Sequence, residues 1–282
     1  MPGLRLRALE RSDLTAVGEL AGEAFELDTG DAVAAERWRA RLAHPLATDP
    51  DGAFVAERDG RMVGVAQAIR RERLWCLSLL AVRPGAQSAG AGRALLERAL
   101  SYATATTDAG LIPSSSDPRA LRLYALAGFA LLPTFEASGT LDRRSLPRPG
   151  REVHSAGSAD LEALEEISRE VRGAPHTREL GFALGIGARL LRVGDSGFAV
   201  VSPGRGVWLL VAREEESAAQ LLWAALALAE TDQPAVRWIT AEQQWAIEIV
   251  VRAGLQLEPY GALCVRGEPG RLHPFLPSGP FA

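Results

Sequence analysis

The sequence predicts an α/β (α+β) protein in which one arrangement of strands and helices occurs twice. Short apolar strands alternate with helices that carry one apolar stripe, and turns rich in Gly and Asp separate paired strands. The two halves follow the same order of elements. We expect each repeat to be a mixed, mostly antiparallel twisted sheet flanked by helices.

Both repeats begin with a short strand, a turn and a helix. Ser12 and Asp13 precede the helix in the first repeat, and Ser158 and Asp160 precede it in the second. Ser is a favoured N-cap residue, and Asp suits the positive end of the helix dipole. We therefore expect Ser12 and Ser158 to cap these helices.

Each repeat continues with a hairpin, a further apolar strand and a helix rich in Ala and Leu. Asp59-Gly60 is a strong hairpin signal in the first repeat, and residues 194–197 form the corresponding turn in the second. The predicted helices run from Gly90 to about Thr106 and over residues 215–229.

The domain boundaries follow from composition. Residues 142–152 concentrate Pro, Gly and Arg, which is typical of a linker. The sequence thus predicts domains over 1–141 and 153–268. Residues 269–282, rich in Pro and Gly, are expected to form an extended tail on a domain surface.

Composition excludes several classes of protein. The 282 residues are 47% hydrophobic and 23% charged, which disfavours disorder. The net charge of −4 disfavours a nucleic-acid binder. The longest apolar run, Leu221 to Ala229, is too short to cross a membrane, and no signal peptide is recognisable.

Cysteine and histidine are too sparse for a disulfide framework or a metal site. Cys76 and Cys264 lie far apart, and the four His have no ligand spacing. We expect no metal and a reduced, cytoplasmic setting. The chain also lacks Lys and Asn, so that all 31 basic residues are Arg and Asp is expected at some positions where other proteins use Asn.

A strand followed by a loop of small residues and a helix predicts an anion cradle. The strand ends at Val82, Gly90 and Gly92 lie in the loop, and Arg83 and Arg93 stand at its edges. Amide groups at a helix start are unpaired, and the helix dipole adds positive potential. The order of glycines differs from the dinucleotide-binding pattern, and the phosphate-loop signature requires a Lys. A tight turn without a ligand is the alternative.

The cradle resembles the pyrophosphate loop of the GNAT acyltransferase family. Gln87-Ser88-Ala89-Gly90-Ala91-Gly92 matches the family motif Q/R-x-x-G-x-G/A. The resemblance implies that acetyl-coenzyme A is the co-substrate and that this loop, with Arg93, holds its pyrophosphate. It also implies that the backbone around Leu80 and Val82 faces the pantetheine arm.

A second motif lies downstream of the cradle. The segment from Asp117 to Phe129 resembles the family pattern N-x-x-A-x-x-L-Y-x-x-x-G-F, with Asp117 in place of Asn. The resemblance implies that Asp117 borders the cofactor and that Tyr124 is the general acid for the departing thiolate. A half-buried structural tyrosine is the alternative.

The general base is not assigned by the sequence. Glu26, Asp28 and Glu72 are the nearby acids, and a surface role is the simpler interpretation of each. A water held by Ser78 is another candidate. Cys76 is expected to be a buried core residue.

The second repeat is expected to be inactive. Its matching loop has no Gly and carries Glu214, Glu215 and Glu216, which repel an anion. Counted back from the closing glycine, Gly254, Val250 stands where Tyr124 stands in the first repeat.

The sequence thus predicts an N-acetyltransferase that acts on an amine-bearing acceptor, either a small molecule or a peptide or protein. The alternative is a non-catalytic acyl-coenzyme A binder whose second domain binds a partner. Mycothiol synthase, a tandem enzyme of this family, is disfavoured because its active half is the C-terminal one. The acceptor, the role of the second repeat and the oligomeric state stay open, with a homodimer as one possibility.

Overall fold

The structure is a computed structural model, and it describes most of the chain. The described ranges are 3–26, 32–87, 89–104, 106–147 and 152–282.

The chain divides into two compact units. Unit 1 comprises Met1–Arg70 and Trp75–Thr107, and unit 2 comprises Arg71–Leu74 and Asp108–Ala282. The predicted boundary at the linker therefore does not separate the compact units. The division into repeats over 1–141 and 153–268 stays a prediction about sequence duplication.

Unit 1 is a sheet packed against helices. Its elements are β1 (Leu4–Ala8), α1 (Leu14–Phe25), α2 (Ala32–Thr48), β2 (Ala53–Arg58), β3 (Arg61–Arg71), β4 (Leu74–Val82) and α3 (Ala91–Leu100). The strand order is β1-β2-β3-β4, and β2 is antiparallel to both β1 and β3.

The β2–β3 turn is the one that the sequence predicts. Asp59 and Gly60 both have positive φ, at 49° and 74°. Two consecutive residues with positive φ match the twist of a hairpin, and Asp and Gly tolerate this conformation.

The apolar stripe of α1 forms the core of unit 1. Val17 and Leu20 are fully buried and pack with Leu42 of α2 and Val55 of β2. This confirms the helical periodicity seen in the sequence.

Unit 2 contains the remaining elements. They are β5 (Ala109–Ser114), α4 (Pro118–Leu126), β6 (Ala130–Ser138), β7 (Val153–Ala156), α5 (Glu165–Arg172), α6 (Thr177–Gly185), β8 (Arg189–Val193), β9 (Gly197–Ser202), β10 (Gly206–Ala212), α7 (Glu215–Ala227), β11 (Val236–Thr240), α8 (Gln244–Arg252), β12 (Gln256–Arg266) and β13 (Phe275–Leu276). One sheet segment has the order β5-β12-β6-β11, and another has the order β13-β10-β9-β8-β7.

Strands of the two repeats alternate in the first of these segments. Strand β12 of the second repeat is antiparallel to both β5 and β6 of the first, so Cys264 lies opposite both Ile112 and Leu131. Strand β6 in turn pairs with β11, where Thr134 lies opposite Thr240. Each repeat therefore completes the sheet of the other.

A glycine permits the close approach of β12 to β5. The register of β12 against β6 shifts between Pro259 and Ala262. Gly261 in this bulge has φ +57°, and a Cβ there would lie 2.1 Å from the Ser114 carbonyl oxygen. Only glycine satisfies both the left-handed conformation and the available space.

The closing segments of the two repeats have the same local geometry. Gly128 and Gly254 both have φ +85°. The amide of Phe129 donates to the Tyr124 carbonyl at 3.1 Å, and the amide of Leu255 donates to the Val250 carbonyl at 3.0 Å. Val250 thus occupies the Tyr124 position in structure as well as in sequence.

Some local expectations were wrong. Ser12 and Ser158 lie inside short 3₁₀ turns, and the side chains of Asp13 and Asp160 accept the capping bonds instead. Helix α3 ends at Leu100, before the expected Thr106.

Segment 269–282 also differs from its expected surface position. It contains β13, which pairs with β10, and its apolar side chains Phe275, Leu276 and Phe281 are buried.

The alternation of strands predicts that the first repeat cannot fold alone. A fragment of residues 1–147 would leave β6 without both β11 and β12, and its unpaired backbone groups would expose an aggregation-prone edge. We expect this fragment to be insoluble alone and to form a soluble complex when it is co-expressed with residues 152–282. Size-exclusion chromatography and thermal melting check this. A cooperative melt of the isolated 1–147 fragment would contradict it.

Candidate active site

The strand that leads to the cradle is accessible at two positions. Leu80 and Val82 are half-buried, whereas the other residues of β4 are buried. These are the two residues that the sequence places beside the pantetheine arm. Their role stays a prediction.

Two side-chain hydrogen bonds hold the loop after β4, one from the loop itself and one from β2. The Gln87 side chain donates from Nε2 to the Val82 carbonyl at 3.2 Å. The Arg58 guanidinium donates to the Ala89 carbonyl at 3.2 Å. Ser88 lies outside the described residues. Gln87 therefore has a structural contact that fixes the loop on the end of the strand.

Helix α3 begins immediately after a left-handed glycine. Gly90 has φ +84°, and its carbonyl accepts the first helical bond from the Ala94 amide at 3.1 Å. The amides of Ala91, Gly92 and Arg93 consequently have no acceptor within the helix. Together with the helix dipole they can bind an anion. The Ala91 side chain is buried, so it leaves the approach free.

Both arginines at the cradle are in ion pairs. Arg83 contacts Glu23 and donates from Nε to the Met62 carbonyl at 3.1 Å. Arg93 pairs with Glu97 at 2.8 Å, and this carboxylate raises the pKa of the guanidinium. Unit 1 therefore offers backbone amides as its main anion-binding groups.

The matching loop of the second repeat has a different conformation. Glu214, at the N-cap of α7, is extended, with φ −140°. Glu214, Glu215 and Glu216 are all exposed. Three carboxylates at this helix start suit the dipole but oppose a bound pyrophosphate.

Asp117 is the N-cap of α4 in unit 2. Its carboxylate accepts a hydrogen bond from the Arg119 amide at 2.9 Å and pairs with the Arg119 guanidinium at 3.0 Å. These contacts hold the pKa of the carboxyl below its ordinary value. Pro118 at the first helical position completes a strong helix start. A contact of Asp117 with the cofactor stays a prediction.

Tyr124, on the same helix, is 5% exposed. Burial raises the pKa of its phenol, and the neighbouring Cys264 and Asp117 add to the effect. The phenol therefore holds its proton at neutral pH. Cys264 is itself buried, and burial raises the pKa of its thiol to about 12. The sequence did not reveal this neighbour, because β12 comes from the other repeat.

The structure describes two of the three acids considered as general bases, Glu72 and Glu26. Glu72 pairs with Arg169 at 2.9 Å. Glu26 is exposed and ends α1 in a left-handed conformation. Asp28 lies outside the described residues. Cys76 is buried, as expected.

Three buried polar atoms in unit 1 have no hydrogen-bond partner among the described residues. They are Nε1 of Trp38 on α2, Oε1 of Gln67 on β3 and the hydroxyl of Ser78 on β4. Arg41 donates to the Ser78 carbonyl at 2.8 Å. Buried unpartnered polar groups are uncommon and call for a ligand or a water. Gln67 is not among the site residues predicted from the sequence. The signal for it is a polar residue within an apolar strand.

The described residues show neither of two further features. They contain no group of three or more His, Cys, Asp or Glu side chains placed to hold a metal ion. None of their helices combines the length and apolar character that a membrane span requires.

Comparison with known proteins relates part of the chain to a family of enzymes. Residues 14–129 match the model of the acetyltransferase (GNAT) family. This part of the chain resembles a GNAT domain. The match includes the cradle and ends at Phe129, the last residue of the Tyr124 motif.

One curated relative matches part of the chain. It is a mycothiol acetyltransferase of Streptomyces avermitilis, 36% identical over 86 residues. The alignment covers 29% of this chain and 28% of that protein's own length. Because the match covers less than a third of either chain, it does not test the prediction that this chain differs from mycothiol synthase.

Solved structures share the fold over nearly the whole chain. A putative acetyltransferase from Pyrococcus horikoshii has a TM-score of 0.82 at 20% identity, covering 99% of this chain and 95% of that chain. A tandem GNAT protein from the clavulanic acid biosynthesis pathway has a TM-score of 0.60 at 17% identity, covering 94% and 98%. These likenesses confirm the predicted fold of two tandem GNAT-like repeats.

The cap of α4 yields a stability prediction. We expect Asp117→Ala to lower the free energy of unfolding by about 0.5–2 kcal/mol, because an N-cap bond is lost. Asp117→Asn, the matched control, retains an acceptor oxygen and should lose less. Urea unfolding measures both.

The effect should depend on pH. Because the folded-state pKa of Asp117 is lowered, its contribution is present above about pH 4 and is lost as the pH falls through the lowered value. Equal stability of parent and Asp117→Ala at neutral pH would contradict the capping role.

Proposed function

We propose that the protein is an acetyl-coenzyme A-dependent N-acetyltransferase that acetylates an amine-bearing acceptor. The observation that carries the proposal is the start of α3, after the loop that follows β4, where left-handed Gly90 precedes amides that have no acceptor within the helix. Its place inside the segment that matches the GNAT family supports acetyl-coenzyme A as the ligand.

We assign the cofactor contacts to the cradle and to β4. The amides from Ser88 to Arg93 hold the pyrophosphate, whereas the Gln87 amide donates to the Pro84 carbonyl at 3.4 Å. The backbone at Leu80 and Val82 holds the pantetheine arm, since these are the accessible residues of β4. Asp117 orients the start of α4.

The reaction is a direct transfer. The acceptor nitrogen attacks the thioester carbonyl, the carbon–sulfur bond breaks, and the thiolate takes a proton from the Tyr124 phenol. The raised pKa keeps this proton in place until the thiolate develops.

The acceptor's own proton needs a separate route. We assign it to a water on the Ser78 hydroxyl, which has no partner among the described residues. The acceptor is either a small molecule or a peptide amine. Cytoplasmic location and a homodimer stay predictions.

Titration calorimetry tests the cradle. We expect acetyl-coenzyme A to bind at one site per chain with a Kd on the order of micromolar. Gly90→Glu and Gly92→Glu should weaken it roughly a hundredfold, because a carboxylate replaces the anion. Gly85→Glu adds the same charge where a side chain has open space, so it is the matched control. Equal loss in all three variants would contradict the assignment.

Replacement of the phenol tests catalysis. Tyr124→Phe should lower kcat roughly 100- to 10,000-fold while leaving the Kd for acetyl-coenzyme A unchanged, because only the proton donor is removed. Thiol release with a panel of amines measures this. An unchanged kcat would remove Tyr124 as the acid. Binding without turnover by the parent on any amine would favour the non-catalytic binder.

A further inference from the structure

Strands β10 and β11 of the second repeat lie side by side at only one end. A single parallel bridge joins Gly206 to Ala235. Towards the other end of β10, β13 pairs with Leu210 and Val211 instead. Residues 269–282 therefore enter a groove between the two strands.

The same segment reaches the opposite wall of the groove. Gly279 lies against the ring of Trp238 on β11, where a Cβ would be 2.5 Å from the nearest ring carbon. Ser278, next to it, is buried. The segment thus spans the groove from β10 to β11.

Backbone bonds hold the segment to β10. The Ala212 amide donates to the Pro274 carbonyl at 3.2 Å, and Leu210 lies opposite Leu276. In the repeat, Leu210 and Ala212 correspond to Leu80 and Val82. In the first repeat, we assigned the backbone at the corresponding positions to the pantetheine arm. In the second repeat, the chain's own backbone pairs with these positions.

A buried glutamine on the second repeat hydrogen-bonds to the segment at two points, Leu272 and Phe275. Gln243 is 1% exposed. Its Nε2 donates to the Leu272 carbonyl at 2.9 Å, and its Oε1 accepts from the Phe275 amide at 3.1 Å. Both of these bonds are made to backbone groups of the segment. A glutamine side chain that binds in this way recognises an extended peptide independently of the peptide's own side chains.

The far end of the segment fills the space beside α5 and α6. Phe281 packs against Phe182 and Trp208, with ring centroids 5.7 and 5.6 Å apart. The fully buried Arg172 donates to the Phe281 carbonyl at 2.7 Å. Trp208 corresponds to Ser78 of the first repeat, so the face that there carries a free hydroxyl is here filled by aromatic rings.

We propose that the groove between β10 and β11 is a peptide-binding groove whose ligand is the chain's own residues 272–282. The built-in peptide takes the place of a second cofactor, a comparison that rests on the proposed function. Because this repeat lacks a glycine cradle and carries three glutamates at the start of α7, we expect the groove not to exchange this peptide for acetyl-coenzyme A.

Hydrogen exchange of the full-length protein tests the proposal. Gly279→Ala forces a Cβ against Trp238, and overpacking of this kind should open the groove roughly tenfold more often. Exchange should then accelerate together in residues 274–281 and in β10. Gly185→Ala is the matched control, since a Cβ there meets open space. Gln243→Ala removes the fastening bonds and gives an independent second variant.

A synthetic peptide of residues 269–282, added in excess, should restore slow exchange of β10 in Gly279→Ala, and a scrambled peptide should not. Faster exchange of the segment with unchanged exchange of β10 would overturn the proposal. So would the appearance of a second acetyl-coenzyme A site in either variant. Loss of all acetyl-coenzyme A binding in the parent would overturn the proposed function alone, because the exchange experiment does not use the cofactor.

Discussion

The insertion of β12 between β5 and β6 is the interaction on which the rest of unit 2 depends. Both ladders of β12 are made with strands of the other repeat, and β6 gains its second partner from the same exchange. Removal of β12 would leave β5 and β6 with unpaired edges, and removal of β6 would do the same to β11 and β12. The second repeat therefore has a structural role in unit 2.

The two repeats share a fold but differ in local structure at the corresponding helix starts. The closing turns at Gly128 and Gly254 have the same φ. The helix starts at Gly90 and Glu214 differ in backbone conformation as well as in side chain, because Gly90 is left-handed and Glu214 is extended. Backbone ladders and apolar faces maintain the common fold. The anion cradle requires one left-handed residue and a helix start without acidic side chains, and a few substitutions remove both.

The sequence predicted the elements that depend on local chemistry. The Asp59-Gly60 turn, strand β4 and the strand–loop–helix order around Gly90 all lie where the pattern placed them. The serine caps failed because each serine lies inside a short 3₁₀ turn, where the Asp13 and Asp160 carboxylates accept from the preceding Glu10 and Gly157 amides. For the candidate site, the cradle was readable from its glycines, whereas the neighbours of Tyr124 were not.

The sequence by itself determined the repeats, their elements and the small-residue loop, because hydrophobic period, turn residues and helix starts are properties of short segments. Only the tertiary structure decided that β12 crosses into the first repeat, that Cys264 lies beside Tyr124 and that segment 269–282 fills a groove. These depend on which distant strands pair. A strand carries the same alternating pattern whichever partner it takes, so the choice is made by the space and backbone groups that the folded chain leaves open.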